Sequence, residues 1–349
     1  MDFHLRTDIS FILAVLLIWC TFGCSEVRET PPEPPPYKFI TPNHLFGIEC
    51  VDENNIWAVG FNSSIFHTSD GGKTWGPQDS GVTNHLCDVS FQNRDKGWIS
   101  GRAGTMLHTQ NAGKTWTKQE TGTSHHLFAL TFIDELYGWA VGDFGTIIHT
   151  SDGGATWVSQ GFGEDRIYND VSFADRSNGW IAAEYGILYH TEDGGKNWKL
   201  QECKDILPLL DETEWESFPP SLYSIFFIDK NRGWAAGMDG TIITTEDGGN
   251  LWKKLANPAQ AKKVTLYKIQ IVGNRGWAIG QKGTFLLSKD GGGTWQKKSN
   301  STNTKFWLRD ADFSSSTNGY IVGARGTILQ TRDGGETWNM LSGIPVSMN

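Results

Sequence analysis

Cysteine is scarce in this chain, with five in 349 residues. Beyond Cys24 only Cys50, Cys87 and Cys203 remain, scattered and without CxxC spacing. That excludes a disulfide framework and a thiolate metal centre, and the three thiols are expected to be small buried hydrophobes. Basic runs are also missing. The formal charge is −9, and it becomes −8 once Arg6, Asp2 and Asp8 leave with a cleaved leader. An acidic chain without a cationic tract is not built for nucleic acid. The apolar run from Phe11 to Trp19 is far shorter than the ~20 residues that span a bilayer. No amphipathic helical stretch is legible, and no nucleophile elbow, P-loop or zinc-protease signature occurs. No cofactor is expected.

The short apolar run sits where a signal peptide carries its hydrophobic region, so residues 1–23 are read as a leader. Thr21-Phe22-Gly23-Cys24-Ser25 resembles a bacterial lipobox, in which Cys24 becomes the lipidated N-terminus; ordinary cleavage with a free Cys24 is the alternative. Residues 24–43 follow as a spacer, proline-rich over 27–37 and unable to pack. Leader, anchor and stalk together predict an exported lipoprotein on a periplasmic, lumenal or outer surface.

Glycine and tryptophan, at 41 and 16 residues, are abundant, and internal repetition explains both. TSDGGKTW at Trp75 recurs in altered form at Trp116, Trp157, Trp198, Trp252, Trp295 and Trp338, at intervals of 41, 41, 41, 54, 43 and 43 residues. GWAVG-type segments keep step at Trp57, Trp98, Trp139, Trp180, Trp234 and Trp277, with Tyr320 in the seventh. Each repeat holds four short strand-like runs; in the third they are Leu127–Phe132, Trp139–Gly142, Thr146–Thr150 and Thr156–Gln160. These runs are apolar on both faces, as a sheet between two sheets requires. Four strands every 40 to 45 residues is a propeller blade. The fold class is therefore all-β, a seven-bladed β-propeller of four-stranded antiparallel blades over residues 44–343, with 344–349 as a tail.

The seven boxes place Asp70, Asn111, Asp152, Asp193, Asp247, Asp290 and Asp333 in the turn before each last strand. A carboxylate there accepts backbone N–H groups of its own turn, and the glycines permit positive φ, so a structural role is expected. Tyr37–Thr41 leaves two ways to close the ring: pairing with the last blade as a strand, or packing alone.

Among candidate chemical groups, His67, His108, His149 and His190 recur on the third strand, too far apart to share a metal. His44, His85 and His126 precede three successive inner strands near the channel mouth and are a candidate metal or proton-linked site. Loops between second and third strands carry Arg102, Lys282 and Arg325 on one arc and Asp143, Glu184 and Asp239 on the other. Arg309 adds to the basic arc. The arc reads either as ordinary solvated surface or as a docking face for an acidic or carboxylate-ended segment. The 201–220 insertion carries six acids and Trp215, and reads either as a surface loop or as a partner-binding element.

The cadence GWAVGDFGTIIHTSDGGATW behind an export signal resembles the photosystem II stability/assembly factor family of Asp-box (BNR-type) propellers, over residues 44–343. The resemblance implies a non-enzymatic scaffold that holds a subunit of a membrane complex during assembly. It implies an arginine-rich interaction surface, for which Arg102, Arg309 and Arg325 with Lys282 are the counterparts. A single copy, tethered by its lipid and binding a protein, is expected. The alternative is an envelope lipoprotein in a non-photosynthetic bacterium that binds another surface protein or a polysaccharide. A third reading, an Asp-box glycosidase, lacks its residues. The nearest string to a sialidase Arg-Ile-Pro is Arg166-Ile167-Tyr168, and no facing carboxylate pair stands out.

Overall fold

The computed structural model describes residues 40–207, 218–298 and 302–343. Cys24, the proline-rich spacer, Trp215 and the tail lie outside them.

The described residues form seven four-stranded antiparallel sheets and no α-helix. The blades cover residues 45–78, 86–118, 127–159, 168–201, 222–254, 266–297 and 308–342. In the third repeat the strands run Leu127–Phe132, Gly138–Gly142, Ile147–Thr150 and Val158–Ser159, so the outer strand is shorter than its expected span. First strands pack against the first strands of both neighbours, and the first strand of blade 7 packs on that of blade 1, closing the ring. Each chain segment supplies a whole blade. Ile40 and Thr41 form no strand; Ile40 N–H donates instead to Ser342 Oγ at 3.1 Å.

Closure is carried by side chains. Ile48 N–H donates to Asp310 Oδ2 at 2.8 Å, and Cys50 N–H to Asp312 Oδ2 at 2.6 Å. Similar stitches join Leu130 N–H to Asp88 at 3.0 Å and Ile225 N–H to Asp170 at 2.9 Å. An inner strand has no hydrogen-bonded neighbour on its channel side, so a carboxylate reaching across satisfies donors that would otherwise be orphaned.

Second-strand tryptophans seal the seams between blades. Trp98 lies stacked between Phe132 of the next blade, at 3.8 Å, and His108 of its own, at 4.8 Å. Its indole N–H donates to the Gly153 carbonyl of the next Asp box at 3.0 Å. Trp57, Trp139 and Trp180 lie between the same residue types, with His67, His149 and His190, the His149 ring tilted by 36° and the others stacked. The third-strand histidines are thus ring partners in the seams. Burial holds all four imidazoles below their usual pKa, that is, neutral. Blade 7 has Tyr320 and Gln330 here instead. Gln330 Nε2 donates to Tyr320 Oη at 2.6 Å and to the Gly71 carbonyl across the closing seam at 3.0 Å.

The antiparallel meander puts first-to-second turns and Asp boxes on one face of the disc. The second-to-third loops and the connections between blades lie on the other. In the third box Asp152 Oδ1 accepts Thr156 N–H at 2.9 Å and Thr150 Oγ1–H at 2.8 Å, while Oδ2 accepts Thr156 Oγ1–H at 2.7 Å. Gly154 has φ of 86°, and a Cβ there would meet Gln119 Oε1 at 2.1 Å, so only glycine fits. Asp70, Asp193, Asp247, Asp290 and Asp333 accept the equivalent backbone N–H. Asn111 accepts Thr115 N–H at 2.9 Å but donates to the Thr115 hydroxyl, the reverse of the aspartates.

Candidate functional site

Every first strand carries a β-bulge at the same register. The bulged residues are Phe46, Cys87, Phe128, Asn169, Tyr223, Tyr267 and Arg309. A bulge puts one residue out of alternation and re-aims its side chain. Here all seven line the mouth of the central channel, on the face opposite the Asp boxes. Arg309 lies over the Tyr267 ring at 5.2 Å, and Tyr267 meets Tyr223 edge-on at 5.6 Å. Trp307 stacks on Phe46 at 6.2 Å. The mouth is aromatic around one fixed guanidinium.

Below it the channel widens to a cavity of about 280 Å³ lined by Glu49, Asp88, Asp170, Asp310, Asp312 and Lys268. Lys268 Nζ stands 3.1 Å from Asp310 Oδ1. Burial alone would discharge Lys268, but Asp310, Asp170 and Asp88 outweigh it and raise its pKa. One cation cannot serve five acids. Burial pushes Asp88 up to about 7 despite Lys268, and Glu49, Asp170 and Asp312 are raised by burial too. At the mouth, burial pushes the Cys87 thiol up to about 12, against the pull of Arg309 and Arg102. Cys50 and Cys203 are buried as expected, whereas Cys87, re-aimed by its bulge, is only half-buried; its raised pKa leaves it a thiol rather than a thiolate.

Around the mouth stand the second-to-third loops. All seven share one backbone, with a left-handed residue at Asn62, Ala103, Phe144, Tyr185, Asp239, Lys282 and Arg325, φ 52° to 57°. Arg102 therefore does not match Lys282 and Arg325. It occupies the position before the left-handed residue, alongside Asp143 and Glu184, and leaves its loop in a different direction. All three basic residues are exposed, and blades 6, 7, 1 and 2 are consecutive in the ring. Arg325 extends over Phe306 at 4.9 Å.

The histidines preceding the inner strands fasten these loops. Asn62 N–H donates to His85 Nδ1 at 3.2 Å, Ala103 N–H to His126 Nδ1 at 3.1 Å, and Arg325 N–H to His44 Nδ1 at 3.0 Å. Each pairs with a loop of the preceding blade, so each ring sits at its own seam with Nδ1 occupied. Ser221 serves Tyr185 N–H in the same way at 3.2 Å. Among the described residues no group of three metal-ligating side chains forms. Burial, aided by Arg102, lowers the His85 pKa and keeps its ring an acceptor.

Sequence reasoning found Arg309 but missed its six companions. A bulge leaves hydrophobic patterning almost intact, and the one signal was the shared Leu-x or Tyr-x opening of each inner strand. Trp215, also a candidate, lies outside the described residues.

Fold and mouth together define an Asp-box β-propeller with a uniform face and a face whose side chains vary on a uniform backbone. The chain matches the family described as photosynthesis system II assembly factor YCF48, over residues 37–121, 116–213, 210–303 and 298–347, and it belongs to that family. Among solved structures it is similar to YCF48 bound to D1 peptide, with 22% identity over 87% of this chain and 99% of that one and a TM-score of 0.69. YCF48 from Cyanidioschyzon merolae gives 20% identity, 85% and 97% coverage and a TM-score of 0.67. The fold is shared with enzymes too: the GH74 xyloglucanase from Xanthomonas campestris gives 12% identity, 88% and 56% coverage and a TM-score of 0.68. A comparison with curated protein sequences gives no match.

Proposed function

We propose that this chain is a non-enzymatic scaffold that holds an extended segment of a membrane-complex subunit across the channel mouth during assembly. The observation that carries the reading is the bulged ring of Phe46, Phe128, Tyr223, Tyr267 and Arg309 flanked by Arg102, Lys282 and Arg325, in a family with a solved member bound to a D1 peptide. Aromatic side chains take apolar residues of a peptide, while exposed guanidinium groups take a carboxylate in bidentate geometry. Export and a lipid tether at Cys24 complete the proposal, since they would hold the propeller at a membrane surface where such a partner is assembled. The proposed architecture is a leader over 1–23, an anchor and spacer over 24–43, and a propeller over 44–343 that works as a single copy.

The aromatic ring also favours a second reading, a surface propeller that binds a polysaccharide or another envelope protein by stacking. Affinity capture from native membranes in mild detergent separates the two. Recovery of photosystem II core subunits or their precursors, lost in Arg102→Ala/Lys282→Ala/Arg325→Ala, is the expected result. Recovery of saccharide or unrelated envelope proteins instead, unchanged in that variant, overturns the assembly reading.

A further inference from the structure

Six large hydrophobic side chains stand exposed on the mouth face of blades 3 to 5: Phe144, Phe162, Ile167, Tyr185, Phe218 and Met238. Phe218 is 73% exposed, Phe144 60% and Tyr185 43%. They are neighbours rather than scattered. Phe144 and Tyr185 occupy the left-handed positions of adjacent loops. Gly145 N–H donates to the Arg166 carbonyl and Glu184 N–H to the Ile167 carbonyl, which ties the Phe144 and Tyr185 loops to the Ile167 segment. Tyr185 meets Phe218 at 5.3 Å. Met238 N–H donates to the Ser221 carbonyl, and Ser221 Oγ accepts Tyr185 N–H. Phe144 also meets the His125 ring at 5.0 Å, and holding a non-glycine residue left-handed is unfavourable, yet the Phe144 and Tyr185 rings stay largely exposed at their loop tips.

Most of the charge around these side chains is negative. Asp143, Asp165, Glu184 and Asp239 are interleaved with them, and Glu164 is held by Arg166 at 2.6 Å. The cations of this quarter are that paired Arg166, the exposed Lys204, and at its blade 5 edge the exposed Lys262 and Lys263, where the turn Gln260–Lys262 packs against Met238–Gly240. Apolar groups gathered among anions are the complement of a segment with apolar side chains flanked by Lys or Arg. Such chemistry repels the anionic segment suited to Arg102, Lys282 and Arg325.

We infer that blades 3 to 5 form a second docking surface, for a cationic amphipathic segment of a protein partner, such as the basic flank of an apolar helix. Apolar contacts among Phe144, Tyr185 and Phe218 supply affinity, and the carboxylates supply orientation and partner choice. The surface goes beyond the mouth and does not rest on it.

The test is binding of the full chain to a labelled peptide of about 15 Lys and Leu residues in helical amphipathic order. A Lys/Ser peptide and neutral and anionic lipid vesicles serve as comparisons. Phe144→Ser/Tyr185→Ser/Phe218→Ser is expected to weaken the Lys/Leu peptide at least about tenfold. Asp143→Asn/Glu184→Gln/Asp239→Asn, which keeps the acceptor oxygens, is expected to weaken it a few-fold and flatten its salt dependence. Arg102→Ala/Lys282→Ala/Arg325→Ala should leave it unchanged. If the serine variant unfolds, the amide variant decides alone. Unchanged binding in the amide variant, or equal binding of the Lys/Ser peptide, overturns the proposal. Vesicle binding that is lost in the same variants overturns it in favour of a membrane-contacting face.

Discussion

The two faces of the disc are built from the same seven repeats and differ in what varies. On the Asp-box face backbone and side chains both repeat: carboxylate or amide, threonine or serine, glycine and tryptophan recur with nearly the same hydrogen bonds in blade after blade. On the mouth face the backbone repeats as faithfully, down to φ near 55° in every loop. The side chains it carries there are Asn, Ala, Phe, Tyr, Asp, Lys and Arg. A residue repeated seven times is doing what every blade needs. One that changes while its backbone stays constant is free of that duty. The comparison teaches that the boxes and channel hold the ring and that the mouth face has side chains to spare for partners.

Breaking the structural side should give the largest effects. Lys268→Met leaves the acids around it without a cation, and losing one partner of a buried charge set costs about 3–5 kcal/mol. Urea unfolding at pH 7 should show that loss, with partial recovery at pH 5 as the acids take up protons. Asp152→Ala should cost about 1–3 kcal/mol through its orphaned turn N–H groups and leave partner capture unchanged; a loss of capture at full stability would break the comparison.

The two sets of carboxylates should also respond to pH in opposite directions. Asp88 is raised to about 7 in the fold from an ordinary aspartate value of 3.8, so the native state holds its proton more tightly. Its contribution is complete below about pH 4 and is lost as pH rises toward 7. Asp70 and Asp290 are lowered to about 2, chiefly by their bonds to Thr74 and Thr294, so their contribution is present above about pH 4 and is lost in stronger acid. Asp88→Asn should flatten the stability profile between pH 4 and 7 and leave the acid limb in place. A profile unchanged in that interval would contradict the assignment.

The smallest effect concerns Trp57. Its indole N–H has no acceptor among the described residues, whereas Trp98 donates to Gly153. The second box has Ala112 where the third has Gly153; both carbonyls accept from a glutamine, Gln78 at 2.8 Å and Gln119 at 3.1 Å, and of the two only the Gly153 carbonyl also accepts an indole N–H. Trp98→Phe should therefore cost about 1 kcal/mol more than Trp57→Phe in matched unfolding curves.

Much of this was legible in the sequence. Repeat length, the Trp spacing and the box glycines specify blade number and strand order, because strand length and turn chemistry are local. Three features were not legible: two depend on a neighbouring blade and one on the backbone of its own loop. The histidines at 44, 85 and 126 suggested convergence but are acceptors at separate seams. Arg102 looked equivalent to Lys282 and Arg325 because all three loops have the same length, and only the position of the left-handed residue separates them. Ring closure through Asp310 and Asp312 links positions 262 residues apart, and no local pattern announces it.

Site-specific photo-crosslinking in native membranes tests the central claim most directly, with the reactive side chain at Tyr267 in the mouth or at Lys114 in a box turn. The account predicts a partner adduct from position 267 and none from position 114. Adducts from the box face, or from both faces equally, would contradict it.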